Sequence, residues 1–171
     1  MIFSNPNRKA STCRFYPDTL ALGLTIGACV WTAGIFVFPI AMHFGILPAP
    51  AFISRLIYSP VCHQDPARSF FIFGLPLSVC ARCTAIYISF AVLMVVFMAA
   101  HIKTIPYARY SLLLLLPMLL DVGLDISALS DSTLASRIST GTMAGIGLAV
   151  FLANALISKN RNSITISEHI K

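Results

Sequence analysis

Charge is what this sequence has least of. Of its 171 residues only 11% are Asp, Glu, Lys or Arg, and only six are acidic. An ordinary soluble domain carries about 25% charged residues. With 57% of the chain hydrophobic, the scarcity excludes a soluble globular domain and marks an integral membrane protein. A basic stripe with interleaved aromatics is also missing, so the net charge of +6 does not point to nucleic acid. The Lys and Arg residues sit mainly at the ends of apolar runs, where they anchor and orient membrane spans. There is no internal repeat and no long low-complexity linker, which leaves a single membrane domain. No nucleophile–base pair or phosphate-binding loop is recognisable, so no reaction can be named.

The pattern predicts an all-α, polytopic membrane protein with four transmembrane helices. Residues 1–19 are polar and basic (Arg8, Lys9, Arg14). The first span is expected at about 20–43, because Leu20 to Met42 is an uncharged run of 23 residues. A spanning helix needs about 20 residues, whereas a cleavable signal has an apolar core of about 7–15, so this helix is read as uncleaved. Pro48 and Pro50 break the chain. Pro50 to Tyr58 is expected as a short interfacial helix with Phe52, Leu56 and Ile57 on one face and Arg55 on the other. Further spans are expected at about 81–100, 110–129 and 137–157. A basic turn holding His101, Lys103, Pro106 and Arg109 separates the second from the third. The membrane domain thus covers 20–157, followed by a polar tail, 158–171.

Orientation follows from Lys and Arg. With the N-terminus inside, Arg8, Lys9, Arg14, Lys103, Arg109, Lys159, Arg161 and Lys171 lie on the inner side, and Arg55, Arg68, Arg82 and Arg137 on the outer. Both termini are therefore expected in the cytoplasm of a multi-pass plasma (inner) membrane protein whose partner is the lipid bilayer. The loop 58–83, between the first two spans, then faces the exoplasmic side, where disulfides are permitted.

That loop concentrates the chemistry. It reads Cys62-His63-Gln64, then Arg68-Ser69-Phe70, then Cys80-Ala81-Arg82-Cys83. A Cys-x-x-Cys pair suits two chemistries. Both sulfurs can bind one metal ion, or they can form a reversible disulfide, with the thiolate favoured at a helix N-terminus. Here the pair opens the second span, and Arg82 between the sulfurs is expected to favour the thiolate further. Cys62 and His63 extend the set towards Cys3His. Adjacent residues rarely reach the same ion, so one of these two is expected to ligate and the other to support it. A c-type haem is disfavoured, since Thr84 and not His follows Cys83. The expected ligand set is Cys62, His63, Cys80, Cys83 and Asp121, with zinc favoured over iron or copper. The middle of the loop, 70–77, is apolar but interrupted by Gly74 and Pro76. It is too short to span, and is expected to dip into the interface or pack against the top of the bundle.

Asp121 and Asp125 are four apart and share one helix face. Counting from Tyr110, Asp121 lies about 16 Å into the third span. Ionisable groups at such depth default to a functional reading, a proton relay or ion site. The structural alternative is ion pairing with Arg82 or Arg137, with Arg68 in support. Pro117, one turn earlier, is expected to kink that span. Gly141 and Gly145 have small-xxx-small spacing, suited to close helix packing and to a homo-oligomer contact. Cys29 reads as apolar packing, Cys13 as incidental and His101 as solvated, while His43 ends the first span on the site's side.

These motifs resemble those of an uncharacterised family of small prokaryotic membrane proteins, a domain of unknown function. The resemblance covers about Cys62 to Gly145. It includes Pro117 and Asp121 in the third span and Arg137 with Thr140-Gly141 in the fourth. It departs at Ala85 and Val122, where the family usually has glycine. It supports the site without naming an activity. The layout is also similar to quinone-coupled disulfide-generating membrane proteins, but the second outer loop here lacks their further cysteine pair. Three functions follow as expectations: a membrane protein with an exoplasmic Cys/His metal site, a thiol–disulfide oxidoreductase using Cys80 and Cys83, or a small transporter using Asp121.

Overall fold

A computed structural model describes residues 19–45, 48–100, 108–127 and 132–169. The basic N-terminal segment, most of the turn around Lys103 and the end of the tail lie outside them. The architecture is mostly helical, and the fold is refined from all-α by one small β-hairpin.

The first apolar run forms two helices, α1 (Thr19–Gly34) and α2 (Val37–His43), bent by 43° at the break between them. Pro39 falls in the first turn of α2, where its missing N–H has no helical partner to lose. The break frees the Ile35 carbonyl, and the Ser78 N–H takes it up at 3.2 Å. Gly34 is required there, because a Cβ would collide with the Tyr58 hydroxyl.

Helix α3 (Pro48–Tyr58) is amphipathic in an unexpected sense. It buries the small residues Ala51 and Ser54 together with Tyr58, and turns Phe52, Ile53, Leu56 and Ile57 outward. The Arg55 guanidinium lies 4.9 Å over the Phe38 ring, a cation–π contact. After α3, Asp65 accepts from the Ala67 N–H at 3.0 Å and caps a short 3-10 turn, Pro66–Arg68.

The apolar segment beyond it is an antiparallel hairpin, β1 (Ser69–Ile72) and β2 (Leu75–Cys80). Ile72 pairs with Leu75, so Phe73 and Gly74 form a two-residue turn, both with positive φ (57° and 76°). That geometry matches the twist of the flanking strands. Gly74 therefore makes a turn and does not merely interrupt an apolar run.

Helix α4 (Ala81–Ala99) follows without a linker and packs along α6 (Leu134–His169). Small residues make the seam. A Cβ on Gly141 would stand 2.6 Å from the Arg82 carbonyl oxygen, and one on Gly145 2.5 Å from that of Ile86. Both glycines are buried against α4 of the same chain. This corrects the expected homo-oligomer contact through Gly141 and Gly145, since the surface they offer is already filled.

The region expected as a third span is not one continuous α-helix. A 3-10 segment, Ala108–Leu115, packs on α6 at Gly147 and leads into α5 (Leu116–Ile126). Pro117 sits in the first turn of α5, so it opens a helix and does not kink one. Among the described residues, Ala81–Ala99 and Leu134–Ser158 are long and apolar enough to cross a bilayer, and α1 with α2 makes a third if the bent pair is one span.

Candidate metal centre

Two chain segments deliver three sulfurs to one place. The last turn of α3 runs on past Tyr58, with the Cys62 N–H bonded to the Tyr58 carbonyl at 3.0 Å, and this fixes Cys62. Cys80 is the N-cap of α4, and Cys83 follows one turn later on the same face. The Sγ atoms of Cys62, Cys80 and Cys83 all lie within 4.8 Å of one another. Around them pack Ile35, Tyr58 and Val79, with Phe36 and Tyr87 at the margin. The Tyr58 hydroxyl donates to the Trp31 carbonyl at 2.5 Å, and its ring meets Trp31 edge-on at 4.8 Å. Burial raises the Tyr58 pKa.

Cys62 is the most enclosed of the three, at 8% exposure. Its Sγ accepts the Cys80 N–H at 3.1 Å. Gln64 holds the loop behind it: its backbone is left-handed (φ 54°), and its side-chain amide donates to the Arg55 carbonyl at 2.6 Å. The Cys62 pKa is lowered well below the usual thiol range, first by the Cys80 thiol, then by that of Cys83, with the Cys80 and Gln64 N–H groups adding to the effect against burial. Thiolate is the form that binds metal and attacks disulfides. Metal–sulfur bonds of about 2.3 Å place three ligand sulfurs about 3.8–4.0 Å apart, so the trio needs to close by at most about an ångström. The donor set fits a soft ion.

His63 and Asp121 are not in this group. Among the described residues it is composed of Cys62, Cys80 and Cys83 alone, and His63 is exposed. Asp121 belongs to a second cluster. Its carboxylate pairs with Arg82 and accepts from the Ser136 hydroxyl, with Thr140 Oγ1 at 3.4 Å. Asp125 pairs with Arg137 at 3.1 Å and with Arg68 at 2.8 Å, and Arg68 also meets Asp65 at 3.2 Å. Ser132 joins both halves, its hydroxyl to Arg82 at 3.3 Å and its carbonyl to Arg137 at 3.1 Å.

Arg82 therefore does not serve the sulfurs between which it lies in sequence. Its guanidinium turns to Asp121, and the groups that perturb Cys62 are thiols and backbone N–H donors. Its Nε is buried without a hydrogen-bond partner. His43 stacks on Phe73 at the hairpin turn, with centroids 4.0 Å apart, and Cys29 is exposed on α1. Sequence reasoning missed Tyr58, Ser132 and Ser136, and gave no role to Gln64 and Thr140, which stand in its motifs. The four-residue spacing of Ser136 and Thr140, matching that of Asp121 and Asp125, was the available signal.

The comparisons agree with a membrane family of undefined role. An uncharacterised protein of Methanocaldococcus jannaschii is 38% identical over 101 residues, covering 56% of this chain and 64% of the relative. An uncharacterised protein of Methanothermobacter thermautotrophicus is 36% identical over 91 residues, covering 53% of this chain and 82% of the relative. The chain thus spans a little under two thirds of the length of the first. No solved structure matches. The family described as "Predicted membrane protein (DUF2085)" matches residues 62–151, from the first cysteine of the cluster into α6, and the chain belongs to that family.

Proposed function

We propose that this protein binds a thiophilic metal ion on Cys62, Cys80 and Cys83 at the exoplasmic end of a four-span helical membrane domain. In this reading both termini lie in the cytoplasm, and the 3-10 segment with α5 forms the third of the four crossings. The observation that carries the proposal is the convergence of three sulfurs from two segments within 4.8 Å. Three thiolates with a buried, N–H-stabilised member suit zinc, iron or copper(I). A closed structural zinc site takes four protein ligands, so a three-sulfur set leaves one coordination position for an exchangeable ligand. His63, beside Cys62, is the nearest candidate in sequence. Asp121 is not, because its oxygens are already taken by Arg82, Ser136 and Thr140. The same engagement removes the main support for a proton- or ion-transport role at Asp121.

The test is elemental analysis of protein purified without chelator or metal-affinity resin, beside a Cys80→Ser/Cys83→Ser control. Near-stoichiometric metal that the control lacks is the expected result. Metal-free protein with intact thiols sinks the proposal. It would move the weight to thiol–disulfide exchange, which the contact of Cys62 with the Cys80/Cys83 pair favours: a pair plus a third thiol can relay a disulfide.

A further inference from the structure

We infer that the sulfur cluster and α5 act as one switch, in which an ion on Cys62, Cys80 and Cys83 clamps α5 against α4 and α6 and loss of the ion lets α5 open. The inference rests on the metal-binding proposal. Its starting point is how α5 is held. No residue of α5 is buried, and Leu119, Leu120, Leu124 and Ile126 all face outward. Polar contacts take the place of packing: Asp121 to Arg82, Ser136 and Thr140, and Asp125 to Arg137 and Arg68.

Two of the three arginines in this clasp are rooted beside sulfur ligands. Arg82 lies between Cys80 and Cys83 in the first turn of α4, and Arg68 is on the loop that Cys62 anchors. The first turn of a helix has N–H groups without intrahelical partners and is prone to fraying. An ion held by Cys80 and Cys83, three residues apart, staples that turn. The Arg82 guanidinium has few restraints of its own: its hydrogen bonds to Asp121 and Ser132 run through Nη2, and its buried Nε has none. Its aim therefore follows the backbone of the turn. Site binding and local order share one free energy, and the coupling is reciprocal, so opening α5 loosens the ion.

The test is hydrogen exchange of residues 116–126 in the full detergent-solubilised chain, loaded with Zn(II) or stripped with chelator, with metal content measured on the same samples. Loading should slow exchange across α5 by about tenfold, within the usual range of coupling between sites. Arg82→Gln and Asp121→Asn should bind the metal yet lose the slowing. Unchanged α5 exchange in metal-loaded native protein overturns the switch while leaving the metal site intact. Slowing that persists in both variants also overturns it, because the clasp would then not carry the coupling. Failure of native protein to take up metal overturns both proposals.

Discussion

The two flanks of α6 are held by opposite means. Towards α4 the seam rests on Gly141 and Gly145, both buried, with backbone close to backbone. Towards α5 the helix offers Ser136, Arg137 and Thr140 to two carboxylates. In lipid, helices gain no hydrophobic drive from meeting, so close packing or polar contact must hold them. The chain uses one means on each flank. Packing gives a contact with a single arrangement, while ion pairs give a contact whose strength changes with the order of the side chains that make it.

The largest effect should come from breaking the polar flank at Arg82–Asp121, where one arginine pairs with the carboxylate, whereas Asp125 pairs with two. Arg82→Ala leaves the Asp121 carboxylate without its cation, and stripping one partner from a buried pair costs about 3–5 kcal/mol. The side chains are 11% and 12% exposed, so the lower end of that range is expected in thermal or denaturant unfolding in detergent. Replacing both, Arg82→Met with Asp121→Leu, should recover most of the loss. A double variant as unstable as the single would show that the pair does more than cancel charge.

The packed flank breaks differently. Gly145→Leu puts atoms where the Ile86 carbonyl and Ser89 hydroxyl already stand. Overpacking of this kind costs about 1–3 kcal/mol, and no partner change on α5 should rescue it. Wild-type stability in this variant would mean that α4 and α6 are not in contact as described. The smallest effect belongs to the rim. Arg68 is 44% exposed, and Arg68→Ala should shift the unfolding midpoint little, by an amount that shrinks as salt is raised. A large, salt-independent loss would show that Arg68 holds Asp125 as firmly as the enclosed Arg137 does.

The sulfur cluster was legible in the sequence because cysteine is sparse and its spacing is stereotyped. A Cys-x-x-Cys at the start of a span fixes two sulfurs on one helix face before any tertiary contact is known. The ion pairs were legible for a related reason, since so few charges lie within the spans that their partners are nearly determined. The hairpin was not. Phe70 to Leu77 is apolar on almost every residue, so no period-2 alternation marks the strands, and Pro76 pairs with Phe71 inside the sheet where it reads as a breaker. Phe73 takes a positive φ, which its side chain gives no reason to expect. Third-span residues misled because apolar composition is the same in an α-helix and a 3-10 segment. The direction of Arg82 was harder to read: position 82 lies between the two cysteines in sequence, but its guanidinium turns to Asp121.

The bend between α1 and α2 sets an order of events in biosynthesis. A carbonyl freed from its helix in an apolar setting is costly until a donor arrives, and here the donor is Ser78, more than forty residues downstream. Pro39, four residues on, gives the Ile35 carbonyl no helical N–H whether the run is straight or bent, so that carbonyl is expected to wait for its donor until the hairpin has been made and delivered beside it. Since Cys80 follows Ser78 by two residues and Cys62 packs against Ile35, the moment the Ile35 carbonyl gains its donor is also the moment the three sulfurs first meet.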